Sequence, residues 1–146
     1  MQRLVIVILC IPVLLLSGCL NPAAVSVVSD MYEAALLEND ELVATYFSED
    51  YLEKHPLEEL SDELAADVRN RGGVNLLNMK ELQGRNLQSE IVQALNDTYA
   101  EDWSFVVLQT DDDTIQTWVV KRGETQYYIV EGQKMNVDTY NGAVLK

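Results

Sequence analysis

The spacing of apolar residues along this chain passes from continuous, to helical, to strand-like. Leu4 to Leu16 is an aliphatic run interrupted only by Cys10 and Pro12. Beyond it, Asn21-Pro22 is a helix-start signal, with Asn as N-cap and Pro at the first helical position. Ala24, Val28, Met31 and Ala35, with Tyr32 and Leu36 alongside, then recur at helical spacing and predict an amphipathic helix to about Glu38. Asn39-Asp40 breaks the pattern. Asp40 is the expected N-cap of a second short helix carrying Leu42, Val43, Tyr46 and Phe47. The His55-Pro56 step ends that segment, because a residue before proline is pushed out of the helical region. Pro56 opens a third helix with Leu57, Leu60, Leu64 and Val68 on one face, stopped by Gly72-Gly73.

Val74 to Leu82 reads as a strand, and Leu87, Ile91, Leu95 and Tyr99 predict a helix over 86–100. Three runs rich in β-branched and aromatic residues follow: Trp103–Gln109, Ile115–Lys121 and Gln126–Glu131. Their connections, Thr110–Thr114 and Arg122–Thr125, are of hairpin length, so an antiparallel meander is the natural product. Apolar residues fall on both faces of these strands, Ile115 and Val119 on one, Trp118 and Val120 on the other. One face is expected to pack on the helices. The other is expected to line a pocket or meet a partner.

The N-terminal run has a different character. Met1-Gln2-Arg3 is a short basic lead, and Leu4–Leu16 at ~1.5 Å per residue covers about 20 Å, short of a ~30 Å hydrocarbon core. That length suits an export signal better than a spanning helix. Leu16-Ser17-Gly18-Cys19 follows at once and resembles the bacterial lipobox at all four positions. The resemblance implies lipid transfer to the Cys19 sulfur, cleavage between Gly18 and Cys19, and acyl chains of the palmitate kind on the new N-terminus. Several acyl chains, at ~0.8 kcal/mol per buried methylene, anchor far more durably than one. Leu20 stands where an Asp would resemble an inner-membrane retention signal, so the resemblance implies the outer membrane in a diderm host. The expected organisation is a signal peptide over 1–18 and a lipidated Cys19 with a very short tether over 19–22. One α+β domain over 23–132 and a C-terminal extension over 133–146 complete it. The expected location is the extracytoplasmic face of the cell envelope.

Charge narrows the partners. The formal net charge is −14, and loss of Arg3 with the signal would leave nine Lys+Arg against 24 Asp+Glu, or −15. Such a surface repels phosphate backbones and anionic headgroups. Nucleic acid is therefore not an expected partner, and membrane contact should run through the lipid anchor. Cys10 would leave with the signal and Cys19 would carry lipid, so no thiol remains for a disulfide or a cysteine metal site.

The stretch Val25–Tyr51, with its break at Asn39-Asp40 and its aromatic Tyr46-Phe47, resembles the opening of nuclear-transport-factor-two-like proteins. The closing runs Thr117-Trp118-Val119-Val120-Lys121 and Tyr127-Tyr128-Ile129-Val130 are similar to the last hairpin of small secreted members. The resemblance implies an α+β fold of the cystatin-like cone type, also called SnoaL-like. In it N-terminal helices pack on a curved antiparallel sheet, and an apolar cavity lies at the wide end.

Enzymes of that superfamily commonly use a His or an Asp–His pair inside the cone. The one histidine here, His55, sits among Glu53, Lys54, Glu58 and Glu59, a solvated setting that does not tune a catalytic pKa. Asp111-Asp112-Asp113 lacks the spacing of a calcium loop and reads as a solvated hairpin tip. The sequon Asn96-Asp97-Thr98 carries little meaning in a bacterial lipoprotein. No catalytic residue, metal site or cofactor is expected. Trp103, Phe105, Trp118, Tyr127 and Tyr128 would serve a small β core or a pocket wall alike. If the cone is hollow, its pocket is expected to draw on Tyr32, Leu36, Tyr46, Trp103, Trp118 and Tyr128. The expected function is a non-catalytic module that binds a small apolar ligand or an envelope protein. An accessory subunit of an envelope complex, homodimeric through the sheet, is the alternative, and an enzyme on the same scaffold ranks below both.

Replacing Cys19 with Ser removes the sulfur that would take the lipid. Membrane fractionation and intact mass of the Cys19→Ser chain from growing cells should show an unprocessed precursor without acyl mass. A product of unchanged size and unchanged membrane retention would refute the lipidation reading.

Overall fold

The computed structural model describes residues 22–146; the signal run, the lipobox and Asn21 lie outside the described residues. Helix α1 spans Ala23–Leu36, and Pro22 occupies its cap position rather than its first turn. Short helices α2 (Asp40–Ala44) and α3 (Glu49–Leu52) follow, then α4 (Leu57–Arg71). The cap of α2 is Asn39, not Asp40: the Asn39 side-chain oxygen accepts from Leu42 N–H at 3.1 Å. Helix α2 ends before Tyr46 because Phe47 turns extended and bridges Ile129, after which Ser48 caps α3. Gly72 closes α4 in the left-handed conformation at φ 85°, which glycine adopts without steric cost.

The expected strand over Val74–Leu82 shrinks to β1, Lys80–Leu82. Val74–Leu77 is instead a tight 3₁₀ turn that buries Leu77. Asn78, left-handed at φ 52°, breaks any extended run there. Helix α5 (Ser89–Tyr99) precedes the meander β2 (Trp103–Gln109), β3 (Thr114–Arg122) and β4 (Tyr127–Asn136). The four strands pair antiparallel in the order β1-β2-β3-β4. β4 runs past the expected end at Glu131 because β3 still offers partners: Ile115 faces Met135 and Thr114 faces Asn136. The segment 133–146, expected to be an extension, is thus part of the domain. After β4, α6 (Val137–Thr139) and a final helical turn bury Tyr140 and Val144, and Leu145 bridges Leu87. The fold class is α+β, with N-terminal helices packed on an antiparallel sheet, consistent with a nuclear-transport-factor-two-like cone.

Strand alternation divides the interior into two cores. Val106, Leu108, Trp118, Val120 and Ile129 face α1 and α4, meeting residues such as Val28, Tyr32, Leu64 and Val68. Phe105, Val107, Ile115 and Val119 face the other way, toward Leu95 of α5 and toward Tyr140 and Val144. The sheet is therefore covered on both faces, and the face expected to line a pocket or meet a partner packs against α5 and the C-terminal turn with a concavity between them.

A register shift lies between Val119 and Val120: Val120 faces Ile129, but Val119 faces Glu131. Val130 is the extra residue of this bulge, and a bulge bends its strand and sharpens the twist. It also turns Gly132 onto the α1/α4 face, directly opposite Trp118. A Cβ on Gly132 would fall inside the contact radius of Trp118 Cζ3 and Cε3. The indole lies against bare backbone.

Gly132→Ala should therefore lower stability by about 1–3 kcal/mol, the range for forcing extra volume into a packed core. Gly142 has open space where its Cβ would go, so Gly142→Ala should stay within about 0.5 kcal/mol of the parent. Urea denaturation of both variants checks the pair; equal midpoints would remove the steric account.

Candidate functional site

Among the concavities beside β4, two lie on opposite faces of the sheet. The first lies between α5 and the sheet, with a volume of about 260 Å³. Ile91 and Leu95 reach it from α5 at helical spacing, Phe105, Val119 and Met135 from the strands, and Val144 from the C-terminal turn. Thr98 and Glu131 stand at its polar margin. Across that margin Tyr99 Oη donates to Glu131 Oε2 at 3.1 Å. Burial and then the Glu131 charge push the Tyr99 phenol up to about 12, further still from ionisation at neutral pH.

The second concavity, about 150 Å³, lies on the α4 side and holds a charged cluster. Lys134 Nζ donates to Glu63 Oε1 at 2.6 Å and to Asp67 Oδ1 at 3.1 Å. Asp67 is only 7% exposed. Its desolvation raises the carboxyl above the ordinary range, although the Lys134 hydrogen bond and charge pull it back. Burial works against the Lys134 ammonium, but the hydrogen bonds it donates to Glu63 and Asp67 hold it above its usual value. Behind the cluster, Trp118 Nε1–H lies 3.4 Å from Tyr32 Oη. Burial first, and the Asp67 charge second, raise the Tyr32 phenol well above its ordinary value.

An aromatic stack closes the outer wall of this second space. Phe47 and Tyr51 stack at 5.0 Å, and His55 covers the other side at 4.1 Å. His55 is exposed, as its acidic surroundings suggested, but its ring is held on Tyr51 rather than free. Every charged group in the cluster already has a partner, so its chemistry is cohesion: Lys134 ties β4 to two successive turns of α4.

The six residues expected to line a pocket do not converge. Tyr32 and Trp118 meet each other, but both are buried in the first core. Trp103 packs beside the second core, where its indole N–H donates to Asn96 Oδ1 of α5 at 2.8 Å. Leu36 is exposed at the end of α1. The Tyr46 carbonyl accepts from Ile129 N–H, and Tyr128 lies over Gly123 at the β3–β4 hairpin. The physical reason is the period-two alternation, which sends Trp103 and Trp118 to opposite faces of one sheet. At the hairpin tip, Asp111 Oδ1 accepts from Asp113 N–H at 2.9 Å, and that bond lowers the Asp111 carboxyl. Asp112 pairs with Arg71 at 3.1 Å.

Sequence reasoning missed Glu63, Asp67 and Lys134. Glu63 and Asp67 stand four apart beside the Leu60–Leu64–Val68 stripe, which signals an acid at the edge of a buried face. Lys134 gave no signal because it falls in the stretch read as an extension. No family model, no curated protein and no solved structure matches the chain. Among the described residues no helix is long and apolar enough to cross a membrane.

Lys134→Met should lower stability at neutral pH by about 1–3 kcal/mol, since it strands a buried carboxylate. The sign of its pH dependence follows from the raised Asp67 pKa. A folded state that holds its proton more tightly gains stability as pH falls below the folded pKa. The Lys134→Met chain should therefore recover stability relative to the parent as pH drops through the carboxylate range. Melts across pH 7 to about 4 check this, and Lys134→Met/Asp67→Asn should be flat where the single variant slopes.

Proposed function

We propose that the chain is an exported lipoprotein, lipidated at Cys19 and held at the outer face of a membrane. Its folded body then serves as a non-catalytic module that takes a small apolar ligand. The lipobox Leu16-Ser17-Gly18-Cys19 supports the anchor, and the net charge of −14 supports a body kept off anionic surfaces by repulsion. The single observation that carries the binding role is the apolar cavity between α5 and the sheet. Its volume of about 260 Å³ borders the ~300–1,000 Å³ range of small-molecule sites.

A second reading, an accessory subunit of an envelope complex, draws on a different surface. Leu36 and Leu37 at the end of α1, with Leu42 on α2, are exposed, Leu37 at 78%. Exposed leucines gathered around one turn suit a protein partner.

Ala94 is exposed on α5 at the lip of the cavity, so Ala94→Phe should obstruct the opening with little effect on folding. Native mass spectrometry or thermal-shift screening with lipids and envelope components should find a ligand for the parent that Ala94→Phe binds at least about tenfold more weakly, a ~1.4 kcal/mol loss. Retained binding in the variant would rule the cavity out. A crosslinker placed at Leu37 in intact cells that captures one stable partner, with no ligand found, would favour the second reading.

A further inference from the structure

The cavity under α5 does not end at its apolar wall. A second space of about 610 Å³ abuts it, and Thr98, Glu131 and Gly132 line both. The adjoining space is polar. Lys54, just beyond α3, and Lys121 of β3 line it, together with two carboxylates, Asp50 and Glu131. Neither lysine makes an ion pair among the described residues, so both ammonium groups are available in the cleft. The cleft thus sets two ammonium groups beside two carboxylates. Ser48, Tyr99 and His55 add hydrogen-bonding groups around them.

From this juxtaposition we infer that cavity and cleft form one amphiphile site, taking a short single-chain amphiphile with a zwitterionic head, of the alkylphosphocholine class. The inference rests on the binding role proposed for the cavity and names its ligand. The tail chemistry follows from volume. At ~30 Å³ per water-sized unit, close to the volume of one methylene, 260 Å³ holds about eight or nine such units, room for one short tail of about eight carbons. The head chemistry follows from charge. A purely anionic head would meet Glu131 at the junction, and a purely cationic one would meet Lys54 and Lys121. A head carrying both signs satisfies the lysines with its anion and Asp50 and Glu131 with its ammonium.

The test uses the lipidated full chain held in phosphatidylglycerol vesicles, with Ala94→Phe in identical vesicles to subtract partitioning. Four probes of equal tail length, octylphosphocholine, octyl sulfate, octyltrimethylammonium and octanol, are titrated while the thermal midpoint is followed. Octylphosphocholine should stabilise the parent at the lowest concentration, by about tenfold over the other three, and should leave Ala94→Phe unmoved. Lys54→Glu/Lys121→Glu should erase that advantage while octanol binding stays unchanged. If octanol shifts the parent but not Ala94→Phe, and octylphosphocholine does no better, the zwitterion inference is overturned and the apolar cavity survives. Stronger binding of octyl sulfate, or indifference to the lysine variants, overturns it as well. If no probe separates the parent from Ala94→Phe, the cavity and the head site fall together.

Discussion

The contact between the Trp118 ring and the backbone of Gly132 governs much of the rest. Trp118 is the largest side chain on the inner face of the sheet, and it can lie flat only because no Cβ rises from β4 beneath it. Gly132 reaches that position through the bulge at Val130. With no bulge, every side chain of β4 beyond it would exchange faces. Met135 would then leave the outer core, and Lys134 would leave Glu63 and Asp67. One extra residue thus sets the inner packing, the ionic tie to α4 and the composition of both concavities.

The two faces of the sheet hold their helices by different means. On the inner face, α1 and α4 dock through a broad apolar surface, and Lys134 adds a directed tie to Glu63 and Asp67. On the outer face, α5 is amphipathic and short, and it is held by Leu95, by the Trp103–Asn96 hydrogen bond and by the Tyr99–Glu131 bond. A thinner attachment leaves space. The cavity lies on the face where the covering helix is fastened at a few points rather than along a continuous apolar seam.

Much of this architecture was legible in the residues. Helical spacing in Ala24–Leu36 and Leu57–Val68 and β-branched runs after Trp103 located the main elements, because long periodic segments carry their own signal. The short elements were not legible. Val74–Leu77 is apolar enough for a strand, but the turn imposed by Gly72, Gly73 and Asn78 decided it. β4 outlasted its apolar pattern because its length is set by pairing with β3, a non-local property. The proposed pocket fared worst. Aromatic content names the residues worth burying, yet only register assigns them to a face, and register here turns on a bulge whose one mark, Gly132, lies just past the strand as read from the sequence. Lys134 was hidden for the same reason, since its partners lie far away along the chain on α4.

The order of elements has a further consequence for how the chain can acquire its shape. Both α1 and α4 precede every one of the strands β2, β3 and β4 that complete their core. Contacts between such distant segments are slow to form. Any process that delivers this polypeptide N-terminus first presents helices that can close only on each other, with their shared core incomplete until the strands arrive. A chain built in this order gains its sheet-side core only near its end.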